Sequence, residues 1–107
     1  MRGAPDLSGY SCSKAALEGA VRSLACELPV KNIRINSIAP GFVRTAMGDE
    51  VLKTLSPEAK DKIFNAHPLG IGTPEDIANL VTFLLSDGAR WITGSTICID
   101  GGFSISS

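Results

Sequence analysis

Between Tyr10 and about Leu28, apolar residues recur at helical spacing. Leu17, Ala20, Val21, Leu24, Ala25 and Leu28 fall on one face of a 3.6-residue period. No proline interrupts the run, and Pro29 ends it. Residues 1–9, with Gly3, Pro5, Asp6 and Gly9, have the composition of a loop. A β-branched run over 33–39, carrying Ile33, Ile35 and Ile38, predicts a short strand that ends at Pro40-Gly41. Residues 46–66 break into two short amphipathic helices. The second opens with Ser56 as N-cap, Pro57 at the first helical position and acids in the first turn. Thr73, Pro74 and Asp76 carry a capping-box signature ahead of Ile77, Ala78, Leu80, Val81, Leu84 and Leu85, a stripe that stops at Ser86-Asp87-Gly88. A last strand, 95–99, precedes Asp100-Gly101-Gly102.

Composition narrows the function classes. A length of 107 residues allows one domain with a modest core. A formal net charge of -1 gives no electrostatic case for nucleic acid or an anionic membrane surface. The longest apolar stretches fall far short of the roughly 20 residues that span a bilayer. The opening Met1-Arg2-Gly3-Ala4-Pro5-Asp6 has no apolar signal region. A cytoplasmic location is therefore expected. The three cysteines, Cys12, Cys26 and Cys98, lack a C-x-x-C spacing, so they are expected to be reduced, small hydrophobes rather than a disulfide or zinc set. His67 is the only histidine, with no His, Cys or clustered acid near it in sequence, and is expected to be structural or at the surface, with no metal role.

Candidate chemistry begins at Tyr10 and Lys14. A spacing of i, i+4 stacks two side chains on one helix face. An ammonium beside a phenol favours the phenolate, and an unassisted tyrosine, titrating near about 10, is a poor acid–base at neutral pH. Such pairs also occur on ordinary helix surfaces, so the spacing alone assigns no function. Downstream, the chain carries Asn32-Ile33-Arg34-Ile35-Asn36-Ser37-Ile38-Ala39-Pro40-Gly41-Phe42-Val43-Arg44-Thr45 and closes with Thr93-Gly94-Ser95-Thr96-Ile97-Cys98-Ile99-Asp100-Gly101-Gly102. With Tyr10-x-x-x-Lys14, these three ordered motifs resemble the short-chain dehydrogenase/reductase family from about Gly9 to Phe103, with 3-oxoacyl-carrier-protein reductases and sugar- or polyol-oxidising relatives as the most similar members.

The resemblance implies an α/β fold: the C-terminal half of a Rossmann-type doubly wound parallel sheet, with the N-terminal dinucleotide-binding half absent, so that 1–107 form a single partial domain. No G-x-x-x-G-x-G or G-x-G-x-x-G occurs; Gly70-Ile71-Gly72 opens a helix but suits a plain turn better than a phosphate loop. The resemblance further implies NAD or NADP as cofactor and a small-molecule carbonyl or alcohol substrate. Tyr10 would move the substrate proton and, with Lys14, contact the cofactor, and Lys14 would lower the Tyr10 pKa and bond the nicotinamide ribose. Pro40, Gly41, Val43 and Thr45 would hold the nicotinamide. The family's substrate lid falls at the two short helices, where Met47, Val51, Leu55 and Phe64 would face substrate, although each suits core packing equally well. The small residues Ala15, Ala16, Gly19 and Ala20 admit either a subunit contact or a tight internal one, and a dimer or tetramer is expected of the full-length protein. The family's catalytic serine lies farther upstream than the nine residues before Tyr10 allow. The isolated chain is therefore expected to be inactive. The alternative is a truncated, non-catalytic subunit that binds a full-length dehydrogenase through helix 10–28 and the C-terminal helix and strand.

Overall fold

The computed structural model describes residues 8–105, with side chains from residue 13 onward. Helix α1 (Ser8–Glu27) runs without a break until the proline approaches. Pro29 then sits at the start of a 3-10 turn, Leu28–Lys31, whose tighter winding tolerates it. Asn32 closes the turn in the left-handed region at φ 56°, its N–H returning to the Leu28 and Pro29 carbonyls. Asparagine is among the few residues that adopt this conformation at little cost.

Strand β1 (Ser37–Pro40) is shorter than the 33–39 run predicts. The difference has a physical cause. The Ile35 N–H bonds the Thr93 hydroxyl at 3.1 Å instead of a strand carbonyl. Arg34 sends its guanidinium to the Leu84 carbonyl at 2.7 Å and the Ile92 carbonyl at 3.1 Å. Asn36 donates to the same Ile92 carbonyl at 3.0 Å and accepts from the Ser95 N–H. Apart from one backbone bond, the Gly94 N–H to the Ile35 carbonyl at 2.7 Å, side-chain bonds thus do the work a backbone ladder was expected to do.

After β1 come α2 (Ala46–Lys53), α3 (Pro57–Asn65) and α4 (Pro74–Leu84), then β2 (Thr96–Ile99). Each helix begins as its sequence demands. Thr45, Ser56 and Thr73 accept backbone N–H bonds as N-caps, and Thr73 with Asp76 completes the capping box. The Arg34 cation meets α4 at its carbonyl end, where the helix dipole favours positive charge.

The two strands pair in parallel, Ser37 with Thr96 through Pro40 with Ile99. The Ser37 N–H reaches the Ser95 carbonyl at 2.9 Å and the Gly41 N–H the Ile99 carbonyl at 3.1 Å. Odd-numbered residues of β1 therefore face β2, and Ile38 and Pro40 turn their backbone polar groups to the other edge. Proline has no N–H to leave unpaired there.

The core is small. Val21, Leu52, Leu84 and Ala89 are its buried apolar residues, and among the described residues no large side chain is fully enclosed. Accessible surface is 7752 Å², against about 5,700 Å² for a compact protein of this mass. The radius of gyration is 16.0 Å, against about 13 Å for a compact domain of similar length.

Candidate active site

The chain leaves β1 at its carboxyl end through Pro40-Gly41, the place where open α/β sheets collect ligands. Gly41 is pressed against the exit of β2. A Cβ there would lie 2.9 Å from the Asp100 Cα and Cβ and 3.0 Å from its carbonyl oxygen, so glycine alone lets the turn form without a shift. Phe42 accepts the Gly72 N–H at 3.0 Å, and the Arg44 N–H reaches the Gly72 carbonyl at 2.8 Å. This is a one-residue parallel bridge between Val43 and Gly72. In such a bridge the flanking residues make the bonds, so the Val43 N–H and C=O point away from Gly72. Thr45 follows as the N-cap of α2, its hydroxyl accepting the Gly48 N–H at 3.0 Å. That oxygen keeps its own proton to donate elsewhere.

His67 braces the turn from behind. It is 6% exposed, with both ring nitrogens engaged. Nε2 accepts the Phe42 N–H at 3.0 Å, and Nδ1 lies 2.7 Å from the Ile63 carbonyl near the end of α3. An amide only donates and a carbonyl only accepts, so the ring is neutral and carries its proton on Nδ1. Phe103 stacks on it with centroids 5.0 Å apart and planes 22° off parallel. Of the two placements expected, structural or at the surface, His67 takes the buried one.

Asp100 sets the position of Phe103. Its carboxylate accepts the Gly102 N–H at 3.0 Å and the Ser104 N–H at 2.9 Å. The Ser104 hydroxyl and those two backbone donors hold the Asp100 carboxyl below the usual carboxylate range, against an opposing effect of burial. Phe42, Ile63, Ala66 and Phe103 wall a cleft of about 420 Å³ beside Pro40-Gly41, and Lys62 and His67 complete its lining.

Pro40, Gly41, Val43 and Thr45, four of the expected site residues, thus share one turn. Tyr10 and Lys14 lie one helical turn apart on α1; the Tyr10 side chain is outside the described residues, and Lys14 is half-buried. Met47, Val51 and Phe64 are exposed and Leu55 is half-buried, and none of the four lines the cleft. Sequence reasoning missed Phe42, Ile63, His67 and Phe103, which do. Helical spacing places Ile63 and Phe64 on different faces of α3, and nothing local says which face the turn at 40–45 will cover. Cys26 and Cys98 are free, as expected, but exposed rather than packed. Among the described residues no group of three His, Cys, Asp or Glu could hold a metal ion, and no helix is long and apolar enough to cross a membrane.

A family model described as enoyl-(acyl carrier protein) reductase matches residues 1–104. The 3-oxoacyl-(acyl-carrier-protein) reductase of Chlamydia trachomatis is 41% identical over 105 residues, covering 97% of this chain and 41% of the relative. A short chain dehydrogenase family protein from Francisella tularensis superposes with a TM-score of 0.85 at 35% identity, over 97% of this chain and 46% of that one. A 4-hydroxyisoleucine dehydrogenase complexed with NADH superposes with a TM-score of 0.82 at 38% identity, over 92% and 40% respectively. The chain spans about two fifths of the length of the curated relatives it matches.

Proposed function

The chain belongs to the short-chain dehydrogenase/reductase family, and from that membership we propose that it carries the acid–base and nicotinamide-binding part of an NAD- or NADP-dependent oxidoreductase acting on a small carbonyl or alcohol substrate. The observation that carries this reading is the turn from Pro40 to Thr45, at the carboxyl end of a parallel strand. The Val43 N–H and C=O point together to the side away from Gly72, a donor and an acceptor of the kinds a carboxamide would meet. Gly41, with no side chain, lets the turn pack directly against Asp100 at the exit of β2. These residues fit the nicotinamide end of the cofactor. No glycine-rich sequence suited to its pyrophosphate occurs among the 107 residues.

When bound, the nicotinamide supplies or accepts the hydride. This chain's residues handle the proton. Tyr10 donates one from its phenol oxygen to the substrate oxygen during reduction and takes it back during oxidation. Lys14, one helical turn on, stabilises the phenolate between those events. In the oxidoreductase containing this sequence, Tyr10→Phe should lower kcat by about 10²–10⁴-fold. Activity of Tyr10→Phe equal to the parent's, measured as NADH or NADPH consumption with a panel of ketones and 3-oxoacyl thioesters, would overturn the assignment of Tyr10.

A further inference from the structure

His67 is the one buried titratable side chain among the described residues, and the chemistry above makes no use of it. It joins three segments distant in sequence: the turn after β1 through Phe42, the end of α3 through Ile63, and the C-terminal turn through Phe103. We propose that His67 is a positioning residue for the 41–45 turn: its neutral, Nδ1-protonated ring holds the Phe42 N–H, and the stacked Phe103 holds the ring.

The argument is one of donor and acceptor accounting. Phe42 stands between Gly41, fixed by Asp100, and Val43, fixed by its bridge to Gly72. Its carbonyl is used by Gly72, and its N–H has a ring nitrogen as acceptor rather than a backbone carbonyl. The orientation of the Gly41–Phe42 peptide depends on that acceptor, while the next peptide, Phe42–Val43, is held at its carbonyl by the Gly72 N–H. The ring can accept at Nε2 only while Nδ1 keeps the proton, and the Ile63 carbonyl at 2.7 Å enforces this tautomer. Phe103 lies flat against the ring and is itself placed by the Asp100 turn, so the chain terminus is coupled to the turn through one imidazole. A residue that only filled space here would need neither nitrogen.

The consequence for catalysis rests on the reading that this turn meets the nicotinamide; the positioning role does not. Glutamine reaches about as far as Nε2 and offers an oxygen acceptor there. Asparagine reaches only the Nδ1 position. Leucine fills the volume with no acceptor. Amide hydrogen exchange on the full 107-residue chain, with ¹⁵N spectra of His67, separates these cases. His67 should show a protonated Nδ1 and an unprotonated Nε2. Exchange at Phe42 should stay within about twofold in His67→Gln and accelerate roughly tenfold in His67→Asn and His67→Leu, while the α4 amides keep their protection in all three. Phe103→Ala should give an intermediate acceleration. A protonated Nε2, or Phe42 exchange in His67→Leu equal to that of the parent, overturns the proposal. The KM for NADH or NADPH in the oxidoreductase containing this sequence then tests the site reading separately. Acceleration at Phe42 with KM unmoved upholds His67 as the brace and removes the nicotinamide from this turn.

Discussion

At the scale of single residues, much of this site is held by groups whose chemistry is satisfied before any ligand arrives. Asp100 is the clearest case. Its carboxylate ties the Gly102 and Ser104 amides, and that turn lays Phe103 over His67. Because the folded-state pKa is depressed, the carboxylate's contribution to stability is fully present above the ordinary aspartate range and is lost as pH falls through the lower folded value. Acidification should therefore loosen the C-terminal turn only once the pH is below the usual carboxylate range. A ¹³C carboxyl titration should place the Asp100 midpoint below that range, with ring contacts between Phe103 and His67 fading over the same interval. Ser104→Ala removes the hydroxyl that contributes most to the shift and should move the midpoint up. A midpoint unmoved by Ser104→Ala would assign the shift to the backbone donors instead.

At the scale of elements, starts and stops were legible because they are decided locally. Thr73 and Asp76 satisfy each other's backbone within one turn: the Thr73 N–H donates to Asp76 Oδ2 at 2.8 Å, and the Asp76 N–H reaches the Thr73 hydroxyl at 3.4 Å. Removing the cap with Thr73→Ala costs about 1 kcal/mol. Amide exchange along the first turns of α4 should then quicken by about fivefold, with the Phe42 amide unaffected. Unchanged α4 protection would mean that tertiary packing around Leu84, not the cap, holds the helix. The same locality explains what was missed. Residues 33–36 have the β-branched pattern of a strand, yet their partners are Thr93, Ile92 and Leu84, more than forty positions away, and no spacing rule finds them. His67 hid for the same reason, since its acceptor role is defined by an amide 25 residues upstream. The turn at 40–45 was located from Pro40-Gly41 at the end of an apolar run, but its geometry depends on Gly72 and Asp100. Tyr10 and Lys14 were legible as a spacing, and their chemistry still rests on that spacing and on the family resemblance.

At the scale of the whole molecule, the two strands form a parallel pair of four residues each, and parallel sheets are normally covered on both faces and flanked by further strands. Here Leu17, Val30, Leu69, Leu85 and Trp91 are exposed. The accessible surface of 7752 Å² exceeds the compact expectation by about 2,000 Å², as much as one side of a large obligate interface buries. An unfolded chain of this mass exposes about 16,000 Å², so folding hides only about half of it. Cooperativity in urea scales with the surface hidden. The isolated chain should accordingly unfold over a broad urea range, bind a hydrophobic dye before it unfolds and elute above its monomer mass as apolar faces pair. Supplying the rest of a full-length dehydrogenase in trans should sharpen the transition, raise its midpoint and displace the dye, because a partner that binds only the folded form stabilises it by mass action. A steep transition and no dye binding by the chain alone would show that these faces are already stable in water. The excess surface would then be a property of an elongated monomer and not a seat for more protein.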